Sequence, residues 1–239
     1  MNTSTSGATV LTLALACFPV AASAQLTYVS QSRTVIAQAS TVSAPDFAPF
    51  NQTLSRTVEL FPSTGWFVTG VSSQNSTLGS SQIRLNARND TSGAFFTGGG
   101  QVTGGFARFT FDVTFDLSIN SQVSLIGLNT ALSSPLIPSA SQQTIRLTRI
   151  GTPAPIFERV FNPENVAATS GPFTFITNLS AGRYRIEADA LTSSSGGTQV
   201  GSINPNTGLI NFAFTVPAPG AVAPALIAGA VLTLRRRRN

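Results

Sequence analysis

The chain of 239 residues contains no histidine and one cysteine, Cys17. It also contains no lysine, so all fourteen basic residues are arginine. Each absence removes a class of chemistry. Without histidine, Ser-His-Asp and Cys-His catalysis and the usual zinc sites are excluded. Without lysine there is no Schiff base and no phosphate-binding P-loop. A lone cysteine cannot close an intrachain disulfide, so hydrophobic burial has to hold the fold together. Charge is sparse as well, at 10% of residues. Setting aside Arg235 to Arg238 leaves ten arginines against nine acids, a balance that names no acidic partner.

The chain does have seventeen phenylalanines, many Val, Ile and Leu, and abundant Ser, Thr, Asn, Gln and Gly. From Phe109 to Ile119 every odd position is apolar and every even one is polar, starting from Arg108. That period of two predicts a strand with one buried and one wet face, hence an antiparallel sheet. Arg183–Ala190 alternates likewise, with Tyr184, Ile186, Ala188 and Ala190 on one side. Ile210, Phe212, Phe214 and Val216 form a third such set. Weaker strands are predicted over 27–38, 54–61, 66–71, 82–87, 122–128, 144–150, 156–161 and 173–176. Turns are predicted at 63–65, 89–93, 98–100, 162–163, 180–182 and 193–197. No helical period stands out. The expectation is all-β: a single antiparallel β-sandwich, jelly-roll-like, over residues 25–215.

Both ends read differently from this body. Residues 1–24 have the form of a secretory signal peptide. An apolar stretch runs from Ala8 to Ala21, broken by Thr9, Thr12 and Pro19, and Ala22 and Ala24 supply small residues for signal peptidase cleavage before Gln25. Its n-region lacks Lys and Arg. Residues 216–239 have three parts in fixed order: Val216, Pro217, Ala218 and Pro219; then an apolar run to Leu234; then Arg235, Arg236, Arg237 and Arg238. Nineteen residues from Val216 to Leu234 make about 28 Å of helix, just enough for a hydrocarbon core of about 30 Å. The arginines stop transfer and favour the cytoplasmic side. Four charges at a chain end make a poor nucleic-acid footprint, so no nucleic-acid partner is expected.

This tail resembles the PEP-CTERM sorting signal of bacteria, in which Val-Pro-Glu-Pro precedes a short apolar helix and an arginine cluster. Ala218 stands where that family usually has Glu. The resemblance implies recognition by an exosortase-like membrane protease, transient anchoring in the inner membrane with the C-terminus cytoplasmic, cleavage near the motif, and delivery to the cell surface or extracellular matrix. The body also resembles the single β-sandwich domains that often precede such tails, through Phe111–Leu117 and Asn178–Tyr184.

Candidate chemistry in the body is thin. Asp112 and Asp116 share a strand face at about 13 Å, beyond the roughly 5–9.5 Å that glycosidases use. Glu187 and Asp189, about 7 Å apart, alternate with Arg183 and Arg185 and read as a salt-paired outer face. Asn89-Asp90 is a candidate calcium loop. Trp66 and Tyr28 are candidates for stacking on a sugar, with an ordinary core or edge role the commoner one. No catalytic residue, metal ligand or cofactor site is assigned. The expectation is an exported, non-enzymatic surface or matrix protein. The alternative is a carbohydrate-binding module whose partner is an extracellular polysaccharide.

Overall fold

A computed structural model describes residues 24–61, 66–94, 105–132, 139–161, 169–194 and 206–217. They form twelve strands: β1 (Leu26–Ala37), β2 (Ser40–Ser43), β3 (Phe50–Phe61), β4 (Trp66–Leu78), β5 (Gln82–Ala94), β6 (Phe106–Leu117), β7 (Ser121–Leu132), β8 (Ser139–Arg149), β9 (Phe157–Phe161), β10 (Thr169–Leu179), β11 (Gly182–Ser194) and β12 (Asn206–Thr215). There is no helix among the described residues, and so none long and apolar enough to cross a membrane. The strands make two six-stranded antiparallel sheets. The first has the order β2-β1-β6-β11-β8-β9 and the second β10-β7-β12-β5-β4-β3.

The sheets pack face to face, sandwich-like, and the alternation in β6 shows why. Phe109, Phe111, Val113, Phe115 and Leu117 are all buried, while the intervening side chains face outward. Tyr184, Ile186, Ala188 and Ala190 extend this floor from β11. Ile210, Phe212 and Phe214 of β12 with Ile83 and Leu85 of β5 close it from the other sheet. Phe111 meets Phe212 edge to face, and Phe115 packs on both Tyr184 and Phe214. Apolar area removed from water along this seam is the main stabilising term.

Both described chain ends lie at one end of the sandwich. Leu26 N donates to Ser80 O (2.7 Å) and Val216 N donates to Ser81 O (2.9 Å), so one short turn holds both. Ala24 and Val216 are buried in the core, one residue beyond each boundary read from the sequence. Toward the opposite end the interior turns polar. Ser72, Asn89, Thr91, Asn129, Ser141, Gln143 and Thr192 are buried there. Asn89 ties the sheets together: its Oδ1 accepts from Ser72 Oγ (2.7 Å) and its Nδ2 donates to Ala190 O (2.6 Å). Gln143 Nε2 donates to Thr130 O (2.6 Å). The sheets also approach closely here. A Cβ on Gly70 would sit 2.2 Å from Phe106 O, so only glycine fits.

Two sequence expectations are corrected. The predicted turn at Asn89–Gly93 is the continuation of β5, because Asn89 and Thr91 face the interior and pair in register with β4 and β12. The predicted strand ending at Ile119 stops at Leu117, where the chain crosses to the second sheet. Strand β2 was not anticipated. The turns read at 63–65, 98–100 and 162–163 lie outside the described residues.

Candidate interaction surface

The outer face of the first sheet is occupied by ion pairs. Arg183 holds Asp116 through two parallel bonds, Nε to Oδ1 (2.8 Å) and Nη2 to Oδ2 (2.9 Å). Arg185 holds Asp112 the same way (2.9 and 2.5 Å) and also reaches Glu187 (3.0 Å). Arg108 holds Asp189, and Arg146 holds Glu158. The Arg183 guanidinium beside Asp116 keeps that carboxyl below its usual value, through its hydrogen bonds first, against an opposing effect of burial, with the charge of Arg183 adding to the lowering. The carboxylates weighed for catalysis are thus all committed to arginines across or along the strands. Neither pair faces a shared cleft as an acid and a base would.

The calcium reading at Asn89-Asp90 is overturned by the geometry. Asn89 points into the sandwich, whereas Asp90 points out, pairs with Arg88 (2.7 Å) and accepts from Thr207 Oγ1 (2.7 Å). Adjacent strand residues on opposite faces cannot ligate one ion. No group of three or more His, Cys, Asp or Glu gathers among the described residues. Tyr28 is not free to stack on a ligand. Its hydroxyl donates to Gly79 O (2.6 Å), its ring stacks on Phe47, and burial pushes its phenol pKa up. The Trp66 side chain lies outside the described residues.

Arg33 is a buried cation that the sequence did not flag, sitting in β1 where alternation would place a core residue. Its Nε donates to Gln31 Oε1 (2.9 Å), Nη1 to Ser76 Oγ (3.2 Å), and Nη2 to the carbonyls of Asp46 (2.6 Å) and Ala48 (2.8 Å). Phe50 lies under the guanidinium at 5.7 Å. Burial lowers its pKa, opposed by the charge of Asp46. Its role is to fasten the segment that carries the chain from β2 to β3.

The outer face of the second sheet is built differently. Asn51 of β3 pairs in register with Asn75 of β4, Asn75 with Asn86 of β5, and Asn86 with Asn211 of β12. The same line continues to Leu128 of β7 and Pro172 of β10. All six side chains are exposed. The neighbouring line runs Thr77, Arg84, Ala213, Ile126, Thr174. A surface depression of about 500 Å³ on this face is lined by Asn75, Thr77, Arg84, Asn86, Asn211 and Ala213, with Leu85 and Phe212 beneath. No sequence signal exposed this row, since its members come from four strands and align only through register.

Of the sorting and cleavage residues, Gln25 is exposed with its N bonded to Ser118 Oγ (3.1 Å), and Pro217 is exposed directly after buried Val216. Ala22, Ala218, Pro219 and Arg235 to Arg238 lie outside the described residues.

No protein-family model matches the chain. No curated protein matches it either. Among solved structures, the enzymatically active domain of tailspike protein 4 of bacteriophage CBA120 is similar over 71% of this chain and 19% of its own, at 12% identity and a TM-score of 0.26. The chain therefore spans about a fifth of that protein's length. The infectious bursal disease virus Gx strain is similar over 91% of this chain and 75% of its own, at 14% identity and a TM-score of 0.20. These likenesses are too slight to transfer a function.

Proposed function

We propose that the chain is an exported, non-enzymatic protein of the cell surface or extracellular matrix, sorted through a PEP-CTERM-like tail. In this reading signal peptidase removes residues 1–24. The apolar run up to Leu234 is a transient inner-membrane helix with Arg235 to Arg238 in the cytoplasm. An exosortase-like protease then frees the domain near Pro217 to Pro219. The observation that carries the reading is the three-part tail following directly on the last core residue: Val216 is buried and bonded to Ser81, and Pro217 is exposed. A folded body that closes where the tail begins suits a protein handed over at that junction. The committed carboxylates of the first sheet support the non-enzymatic part. The domain is read further as jelly-roll-like. In support, the chain changes sheet at every connection except β1–β2, β3–β4, β4–β5 and β8–β9. The test is cell fractionation followed by terminal mass spectrometry of surface-extracted protein. The expected mature form starts at Gln25 and lacks the arginine cluster. A cytoplasmic, full-length chain would overturn the reading.

A further inference from the structure

We propose that the outer face of the second sheet is a platform for an extended acidic polysaccharide, laid across the strands along Asn51, Asn75, Asn86 and Asn211, with Arg84 taking a carboxylate of the polymer.

The row is regular because register makes it so. Neighbouring strands lie about 4.8 Å apart, so the four amides span about 14 Å and the full line to Pro172 about 24 Å. Each amide offers two donors and an acceptor. Among the described residues, none of the four amides has a hydrogen-bond partner in the protein, including each other. They are a repeated, uncommitted set of donors and acceptors, which is what a chain of hydroxyl-bearing rings requires. The first sheet makes the contrast, because there Asp112, Asp116, Glu158, Glu187 and Asp189 are each held by an arginine.

The apolar end of the line fits the same occupant. Ile126, Leu128 and Ile176 are 49%, 40% and 57% exposed, with Pro172 beside them. A sugar ring has apolar C–H faces as well as hydroxyl edges, and such side chains offer it cover that water does not. Charge adds the choice of polymer. Arg88 is committed to Asp90, whereas Arg84 has no carboxylate within ion-pair distance among the described residues and lines the depression beside Asn75 and Asn86, opposite Thr77. An anionic group there gains a partner at no cost to an existing bridge. A protein partner fits less well. The row carries no aromatic anchor, and a dry interface would bury its amides unpaired.

The proposal rests on export only in that the polymer is met outside the cell; binding is read on purified protein. The full chain in detergent is titrated with alginate and with dextran, beside the Asn75→Ala/Asn86→Ala/Asn211→Ala and Arg84→Gln variants. All four positions are exposed, so thermal unfolding should not move. Alginate should bind the parent chain more tightly than dextran. The triple variant should lose on the order of tenfold in affinity or more, as for about one or two lost hydrogen bonds. Arg84→Gln should abolish the preference for alginate and its salt dependence. Equal alginate binding by all three proteins, or no binding by the parent chain, would overturn the proposal. So would self-association through this face, removed by the triple variant, without any glycan binding. None of these results bears on the mature termini, which test the sorting reading separately.

Discussion

At the scale of single residues, the described part of the molecule separates polar groups that hold the fold from polar groups left free. Arg33 belongs to the first kind. Four neutral oxygens and an aromatic face replace its water shell. Arg33→Ala strands the carbonyls of Asp46 and Ala48 and empties a buried site. It should cost about 2–4 kcal/mol in chemical denaturation. Asp116 is a milder case on the surface. Its pKa is lowered in the folded state, so its contribution is present above the ordinary carboxylate value and is lost as pH falls through the lowered one. Asp116→Asn should therefore lower stability slightly near neutrality, where the contribution is present, and converge on the parent in acid, so that the decline of stability below about pH 4 is flatter, as pH-dependent thermal melts would read. Exposure keeps the effect small.

At the scale of elements, packing decides where composition could not. Phe111 of β6 is buried against Phe212, so Phe111→Ala should cost about 3–5 kcal/mol in equilibrium unfolding. Gly70→Ala of β4 should cost about 1–3 kcal/mol or more, because the obstructing atom is the Phe106 carbonyl, which also accepts from Gln38 N and cannot swing away. Strands β6 and β11 were legible because their buried and exposed positions alternate without a break. Strand β5 was half legible. Asn-Asp-Thr-Ser-Gly has turn chemistry, yet Asn89 finds partners on β4 and β11 that no local reading reveals, and tertiary bonding overrides propensity. The asparagine row was not legible at all. Asn51, Asn75, Asn86 and Asn211 share no spacing in the chain, and only the pairing of β3, β4, β5 and β12 brings them together.

At the scale of the whole molecule, the two ends of the described domain lie at one end of the sandwich, held by the turn around Ser80 and Ser81. Under the proposed sorting, a membrane tether at Pro217 would hold that end nearest the bilayer and leave the sheet faces open to the side. Burial of Val216 also limits where the tail can be cut. Cleavage before Val216 would pull a buried side chain out of the core at a cost of about 1.5–3 kcal/mol, whereas cleavage beyond it costs the fold nothing. If the tail enters the membrane as proposed, Pro217, Pro219 and Pro224 would weaken a helix near its start and make that segment easier to open than the middle of a stable helix. The mature C-terminus should therefore fall between Val216 and Gly220. Replacing Arg235 to Arg238 with Ser should remove the orientation signal, so that the tail slips through the membrane and uncut protein accumulates. Intact-mass measurement of surface-extracted protein from both strains checks this. A C-terminus still at Asn239 in the parent would make the tail a permanent single-span anchor, with Ala218 the first position to restore to Glu.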